Sequence, residues 1–160
     1  MKQVLLILFI VISIGSFGKK KSFPFFKQTI DTECGPSCLK MIANFYDKDI
    51  HIEVINELTH LDSIVGTSLL NLSDAATSIG LKNMGVRIDY NQLKNDAPLP
   101  CIVHWKRNHF IIVYKLKGDK VYVADPADTL LEYSKAEFCE NWFQSETSGD
   151  SKGIALLFNL

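Results

Sequence analysis

Cys34 sits in the run Gln28-Thr-Ile-Asp31-Thr-Glu-Cys34-Gly-Pro-Ser-Cys38, where an extended segment turns into a helix. Apolar residues at Cys38, Leu39, Met41, Ile42 and Phe45 follow at helical spacing. Pro36 suits the first turn, where its missing N–H would be unpaired anyway. A thiol at a helix N-terminus feels the positive end of the macrodipole, which favours thiolate over thiol. These residues offer a cysteine nucleophile. The competing reading is a small buried cysteine, the commoner fate of a free thiol. The choice turns on whether the chain also holds a base and a group to orient that base.

Four histidines are available. His51 and His60 lie in polar, helix-rich sequence and read as surface residues. His104 precedes Trp105 and alternates to the other face of a strand, which makes it a structural or rim residue. His109 begins the run Phe-Ile-Ile-Val-Tyr, so a polar imidazole stands at the mouth of an apolar strand. Asp125-Pro126 closes the next strand across a hairpin, and two antiparallel neighbours bring strand start and strand end to one edge. There the Asp125 carboxylate can hold one ring nitrogen of His109 and leave the other for the Cys34 sulfur. The order Cys, His, Asp, with the nucleophile on a helix and its partners on a sheet, is the papain-like arrangement. Taken singly, a histidine on a strand is usually structural and Asp-Pro a common turn; the assignment rests on the three together. Acyl transfer also needs donors for an oxyanion. Gln28, on the extended lead-in, can turn its amide toward a substrate carbonyl beside the Cys34 backbone N–H. Asp31 reads as a local turn or cap residue.

The elements that must position these residues divide by period. Residues 23–27 lead in as an extended stretch, the Cys34 helix runs to about Tyr46, and 53–58 form a second short helix. Gly66-Thr67 starts a third, with Thr67 or Ser68 as cap and Leu69, Leu72, Ala76 and Ile79 as its core stripe, ended by Gly80. Residues 83–88 read as a strand, 91–95 as a helical turn, and Pro98-Leu-Pro100 breaks the chain. The second half is β-rich at 101–105, 109–115 and 120–124, with Lys117-Gly118-Asp119 as a hairpin turn. Ser134 opens a helix carrying Phe138 and Trp142, and 154–158 is a terminal strand. Helices first and an antiparallel sheet afterwards make the fold class α+β.

The remainder of the composition narrows the classes. At 160 residues the chain is one domain with an appendage, long enough for a real core. A net charge of -1 gives nucleic acid no attraction, and the dense basic run Lys19-Lys20-Lys21 lies beside the apolar N-terminus. The four cysteines (Cys34, Cys38, Cys101, Cys139) lack CxxC spacing and the histidines lack a zinc-finger pattern, so free thiols are expected, with no metal and no cofactor. Free thiols favour a reducing compartment. Residues 4–17 are apolar and uncharged, shorter than the roughly 20 residues of a membrane span. Two readings stand for residues 1–18. One is a short anchor in the bacterial inner membrane, with Lys19–Lys21 holding the domain on the cytoplasmic side. The other is a signal segment cleaved near Ser16-Phe-Gly18 on export. Residues 19–22 are then a basic linker and 23–160 the catalytic domain.

The chain resembles the bacteriocin-processing cysteine peptidases, the N-terminal peptidase domains of peptide-exporting ABC transporters. The likeness rests on Gln28, Asp31, Cys34-Gly-Pro-Ser-Cys38-Leu39, Gly66-Thr-Ser68-Leu, His104-Trp, Asn108-His109-Phe and Ala124-Asp125-Pro126, spread over about residues 22–160. It implies a papain-like fold and cleavage of leader peptides after a double-glycine motif, coupled to export. Carried over, Cys34 is nucleophile, His109 general base and acid, Asp125 its orienter and Gln28 an oxyanion-hole donor. Two glycines thread a narrow cleft that larger side chains would block, and a leader helix docks through its apolar face. The usual exporters continue into a transmembrane bundle and an ATP-binding domain, and no Walker-type loop occurs here. With the apolar N-terminus, that points to a membrane-tethered peptidase serving a separate ABC exporter, or to an incomplete exporter gene. Two alternatives stay open: a thiol amidase or acyltransferase of the same fold, and a non-catalytic leader-binding module, which would not need Cys34, His109 and Asp125 together.

Overall fold

Burial decides how the first helix is used. In the computed structural model, which describes residues 22–143 and 151–159, a 3-10 turn at Asp31–Glu33 runs directly into α1 (Cys34–Phe45). Residues Cys34 to Leu39, then Met41, Ile42 and Ala43, are all buried, so α1 is an interior helix rather than a surface one. α2 (Ile52–Leu58) packs beside it, followed by α3 (Leu69–Ser78). Of the two candidate caps for α3, Ser68 takes the role and accepts the Asn71 N–H at 3.1 Å. Thr67 donates instead to the Thr59 carbonyl at 2.6 Å. Gly80, with φ +77°, ends the helix in the left-handed region where a side chain would be strained.

Six strands form one antiparallel sheet in the order β1-β6-β2-β3-β4-β5. They are β1 (Asn83–Ile88), β2 (Cys101–Trp105), β3 (His109–Lys117), β4 (Lys120–Ala124), β5 (Leu130–Ser134) and β6 (Gly153–Phe158). β3 and β4 make the expected hairpin across Gly118-Asp119, with Lys117 opposite Lys120. Two short helices, α4 (Tyr90–Asn95) and α5 (Lys135–Trp142), each start with a capping box, Asp89 with Gln92 and Ser134 with Glu137.

Strand alternation sorts the core into two layers. Ile102, Phe110, Ile112 and Leu156 face α1, α2 and α3, together with Cys38, Leu39 and Ile42. Cys101, Val103, Ile111, Val113 and Leu157 face the other way, against Tyr90, Phe138 and Trp142. The central strands are therefore apolar on both faces, which is why Phe110-Ile-Ile-Val reads as an unbroken run. α1, α2 and α3 cover one face of the sheet, and α4 and α5 cover the reverse. β5 was not expected at all. It is an edge strand whose residues are alternately exposed and half-buried, so it lacks the hydrophobic run that marks its neighbours.

One close approach on the reverse face is diagnostic. Trp142 is fully buried and donates its indole N–H to the Ile154 carbonyl at 3.0 Å. A Cβ built on Gly153 would lie 2.2 Å from that ring. Gly153→Ala should therefore cost about 1–3 kcal/mol by overpacking. Urea denaturation checks this, and an unchanged midpoint would contradict the packing described.

Candidate active site

The geometry starts with the β3–β4 hairpin. Its ladder pairs Ile112 with Ala124, and beyond that pair the strands part. His109 opens β3 opposite Trp105 of β2, and Asp125 follows the last residue of β4, so both lie at this end of the hairpin. His109 Nε2 lies 2.8 Å from Asp125 Oδ1, a hydrogen-bonded ion pair when the ring is protonated. Asp125 also accepts the Ala127 N–H at 3.0 Å, while its own N–H donates to the Thr129 carbonyl. The carboxylate is thus part of a tight turn and has little freedom to leave the ring. With Nε2 taken, Nδ1 is the ring nitrogen left for a second partner. Cys34 is close enough to the imidazole to raise its pKa and is the group placed to take that second position.

Cys34 stands at the first position of α1, only 8% exposed. One helical turn on, Cys38 is fully buried and donates its S–H to the Phe110 carbonyl at 3.3 Å. Phe110 lies past the last β3–β4 pair, so a buried carbonyl near the strand end is satisfied by the helix. The bond ties α1 to the residue after His109. Burial, then the nearby charges of Cys34 and Asp125, push the Cys38 thiol up, which keeps it a neutral donor. Burial alone pushes Cys101 up to about 12.

The imidazole is electrostatically primed. Burial by itself would lower the His109 pKa. The hydrogen bonds to Asp125 and Cys34, and the charges of both, outweigh it and push the ring up to about 9. Asp125 moves oppositely. Burial raises it, but the His109 and Ala127 hydrogen bonds and the charges of His109 and Lys106 win, and its pKa is lowered. A protonated ring between two acceptors is the state this geometry favours.

Gln28 lies on the lead-in, and its backbone N–H donates to the Pro126 carbonyl at 2.9 Å, which binds that segment to the Asp125 turn. Its side-chain nitrogen donates to the carbonyls of Ile30 and Asp31 at 3.1 and 3.2 Å. The amide oxygen, Oε1, is buried and has no hydrogen-bond partner among the described residues. Asp31 is exposed and opens the 3-10 turn. His51 and His60 are exposed as expected. His104 packs its ring 5.1 Å from Phe110 and borders a cavity of about 390 Å³ with Val65, Thr67, Leu69 and Asn108. That cavity adjoins both halves of the site: Asn108 precedes His109, and the Thr67 methyl sits 2.5 Å from where a Cβ on Gly35 would be. Glu33, immediately before the thiol, was missed from the sequence. It is buried and accepts three hydrogen bonds. Its only sequence signal is an acidic residue beside the nucleophile, which reads as helix-start charge.

The chain is similar to known proteins in sequence and fold. The lactococcin-G-processing and transport ATP-binding protein of Lactococcus lactis subsp. lactis is 32% identical over 120 residues, covering 72% of this chain and 17% of that protein. The colicin V secretion/processing ATP-binding protein of Escherichia coli is 27% identical over 161 residues, 93% of this chain and 23% of its own. The chain thus spans about a fifth of the length of these relatives. Among solved structures, a double glycine motif protease from an AMS/PCAT transporter, in complex with the leader peptide, superposes with a TM-score of 0.76. It is 31% identical and covers 84% of this chain and 89% of that one. The peptidase domain of Streptococcus ComA, at 24% identity and a TM-score of 0.74, shares the fold. Residues 22–146 match the Peptidase C39 family. The chain belongs to that family and has its papain-like cysteine peptidase fold.

Proposed function

We propose that this chain is a cysteine endopeptidase that cleaves leader peptides after a double-glycine motif, in connection with bacteriocin or peptide export. The observation that carries the reading is His109 hydrogen-bonded to Asp125 with Cys34, at the start of a buried helix, acting on the same ring. Cys34 is the nucleophile. As thiolate it attacks the carbonyl carbon of the second glycine, and the His109 imidazolium hands its proton to the departing amine. The neutral ring then takes a proton from water, which hydrolyses the thioester. Asp125 keeps the ring oriented through both steps.

Gln28 and the Cys34 backbone N–H serve as oxyanion donors. The two acceptors of the Gln28 amide are carbonyls of adjacent residues at nearly equal distance, so one N–H can be shared between them and the other offered to the substrate. Apolar surface for a leader helix is at hand: Ile64 is 84% exposed, Val65 82% and Leu70 68%. Asp62 Oδ1 accepts the N–H groups of Ile64 and Val65 at 2.7 and 2.9 Å, so the tip that presents them is preformed. Its neighbours Val65 and Leu69 border the cavity beside Gly35 and His109. Outside the reaction itself, the partner is the transport machinery of a peptide-exporting ABC transporter, with the domain on the cytoplasmic side of the bacterial inner membrane. The proposed tether, residues 1–18, lies outside the described residues and rests on its apolar sequence. Among the described residues no helix is long and apolar enough to cross a membrane.

The decisive assay incubates the chain, under reducing conditions, with a peptide carrying a double-glycine leader. Cleavage after the second glycine is expected, and Cys34→Ala should lose activity by roughly four orders of magnitude or more. An intact peptide with the parent protein would sink the proposal; mass spectrometry of the products reads either result.

The pH profile offers a second check. Activity needs the imidazolium, which is lost as pH rises through about 9, so kcat/KM should hold to that region and then fall. Asp125→Asn removes an acceptor and a negative charge, so the alkaline limb should move down toward the ordinary histidine value near 6.5. The same ring stabilises the fold fully below about 6.5 and progressively less through about 9, because its folded pKa is the higher one. An alkaline limb unmoved by Asp125→Asn would remove Asp125 from the site.

A further inference from the structure

A carboxylate directly before a cysteine nucleophile works against it, since a neighbouring negative charge disfavours the thiolate. Glu33 nevertheless occupies that place, 3% exposed. Its surroundings are all donors. Oε2 accepts the Thr29 N–H at 2.8 Å and the Thr29 hydroxyl at 3.0 Å, and Oε1 accepts the Asn56 amide at 2.9 Å. Both carboxylate oxygens are thus engaged, and the side chain is held in one orientation. A glutamine would keep only one acceptor oxygen for these donors, and an aspartate would be a methylene too short.

What those bonds hold is the loop that carries Gln28. Thr29 follows Gln28 directly. The Ile30 carbonyl, on the next residue, accepts both the Glu33 N–H at 3.1 Å and the Gln28 amide at 3.1 Å. Glu33 thus grips the lead-in from two sides, by side chain at Thr29 and by backbone at Ile30. Asn56 fastens the same carboxylate to α2. We propose that Glu33 is the positioning residue of the oxyanion site: it fixes the Gln28 amide relative to the Cys34 helix start and touches no reacting atom itself. This rests on the reading of Gln28 as an oxyanion donor.

The consequence is a rate effect rather than a binding effect. Small misplacement of a transition-state donor lowers kcat and leaves KM nearly unchanged. Glu33→Gln should lower kcat about ten- to a hundredfold on a double-glycine peptide, with KM within about twofold. Alkylation of Cys34 by iodoacetamide, which has no oxyanion, should not slow. In a Gln28→Ala background, already about a hundredfold down, Glu33→Gln should cost less than about threefold more, because the residue it positions is gone. Thr29→Val removes the hydroxyl bond but keeps the N–H; it should show the same pattern at smaller size, and it decides the matter if Glu33→Gln does not fold. Equal losses from Glu33→Gln in both backgrounds, or alkylation that slows together with kcat, would overturn the proposal while leaving Gln28 in its role. Gln28→Ala with parental kcat would overturn both.

Discussion

The buried seam between the first turn of α1 and the first residues of β3 is the contact on which the rest depends. It brings together a thiol and an imidazole that lie far apart in sequence and on different kinds of element. The Phe110 carbonyl lies past the last β3–β4 pair, and a side chain of α1 satisfies it. Cys38 is small enough to be buried and has one weak donor to offer, which goes to the Phe110 carbonyl at 3.3 Å. Because Cys34 and Cys38 are a turn apart, and Phe110 follows His109, this bond ties the helix turn that carries the thiol to the strand start that carries the ring. Sites built on packed helices and strands hold their geometry more tightly than sites on loops.

Burial then determines the electrostatics. His109, Asp125 and Glu33 are all removed from most of the solvent, where charges are costly unless paired. Asp125 is paired with a ring that becomes a cation, and the two pKa values move apart, the ring up and the carboxyl down. Glu33 faces only neutral donors and is turned toward the lead-in. The two acids near the thiol thus differ in their partners, one cationic and one neutral.

Much of this was legible because the informative residues carry strong local signals. Pro36 and the apolar spacing after Cys34 announced α1, and the apolar runs around Gly118-Asp119 announced the hairpin that places His109 and Asp125 at one end. Other features had no such signal. β5 is an edge strand with only half-buried apolar residues. The register shift between Val113 and Lys115 is a one-residue bulge at Tyr114, set by tertiary packing. The contacts of Glu33 depend on Asn56, on a different helix, and spacing along the chain cannot show that. The Gln28 amide is engaged by carbonyls of its own loop, a detail of side-chain rotation below the resolution of pattern reading.

The bulge has a use that follows from its place. It presents Tyr114 to the lead-in, where its ring stacks 4.7 Å from Phe23 at an interplanar angle of 12°. Phe23 also packs 5.8 Å from Phe45 at the far end of α1. The lead-in is therefore held at two points, by aromatic packing at Phe23 and by the hydrogen bond from Gln28 to Pro126. Stacking and area burial at such an aromatic are worth about 1–3 kcal/mol. That is enough to hold Phe23 against the bulge and the end of α1. The Cys34 helix, the β3–β4 hairpin and the lead-in are thus joined by named contacts at both ends of the lead-in, and Gln28 is tied to the same turn as Asp125.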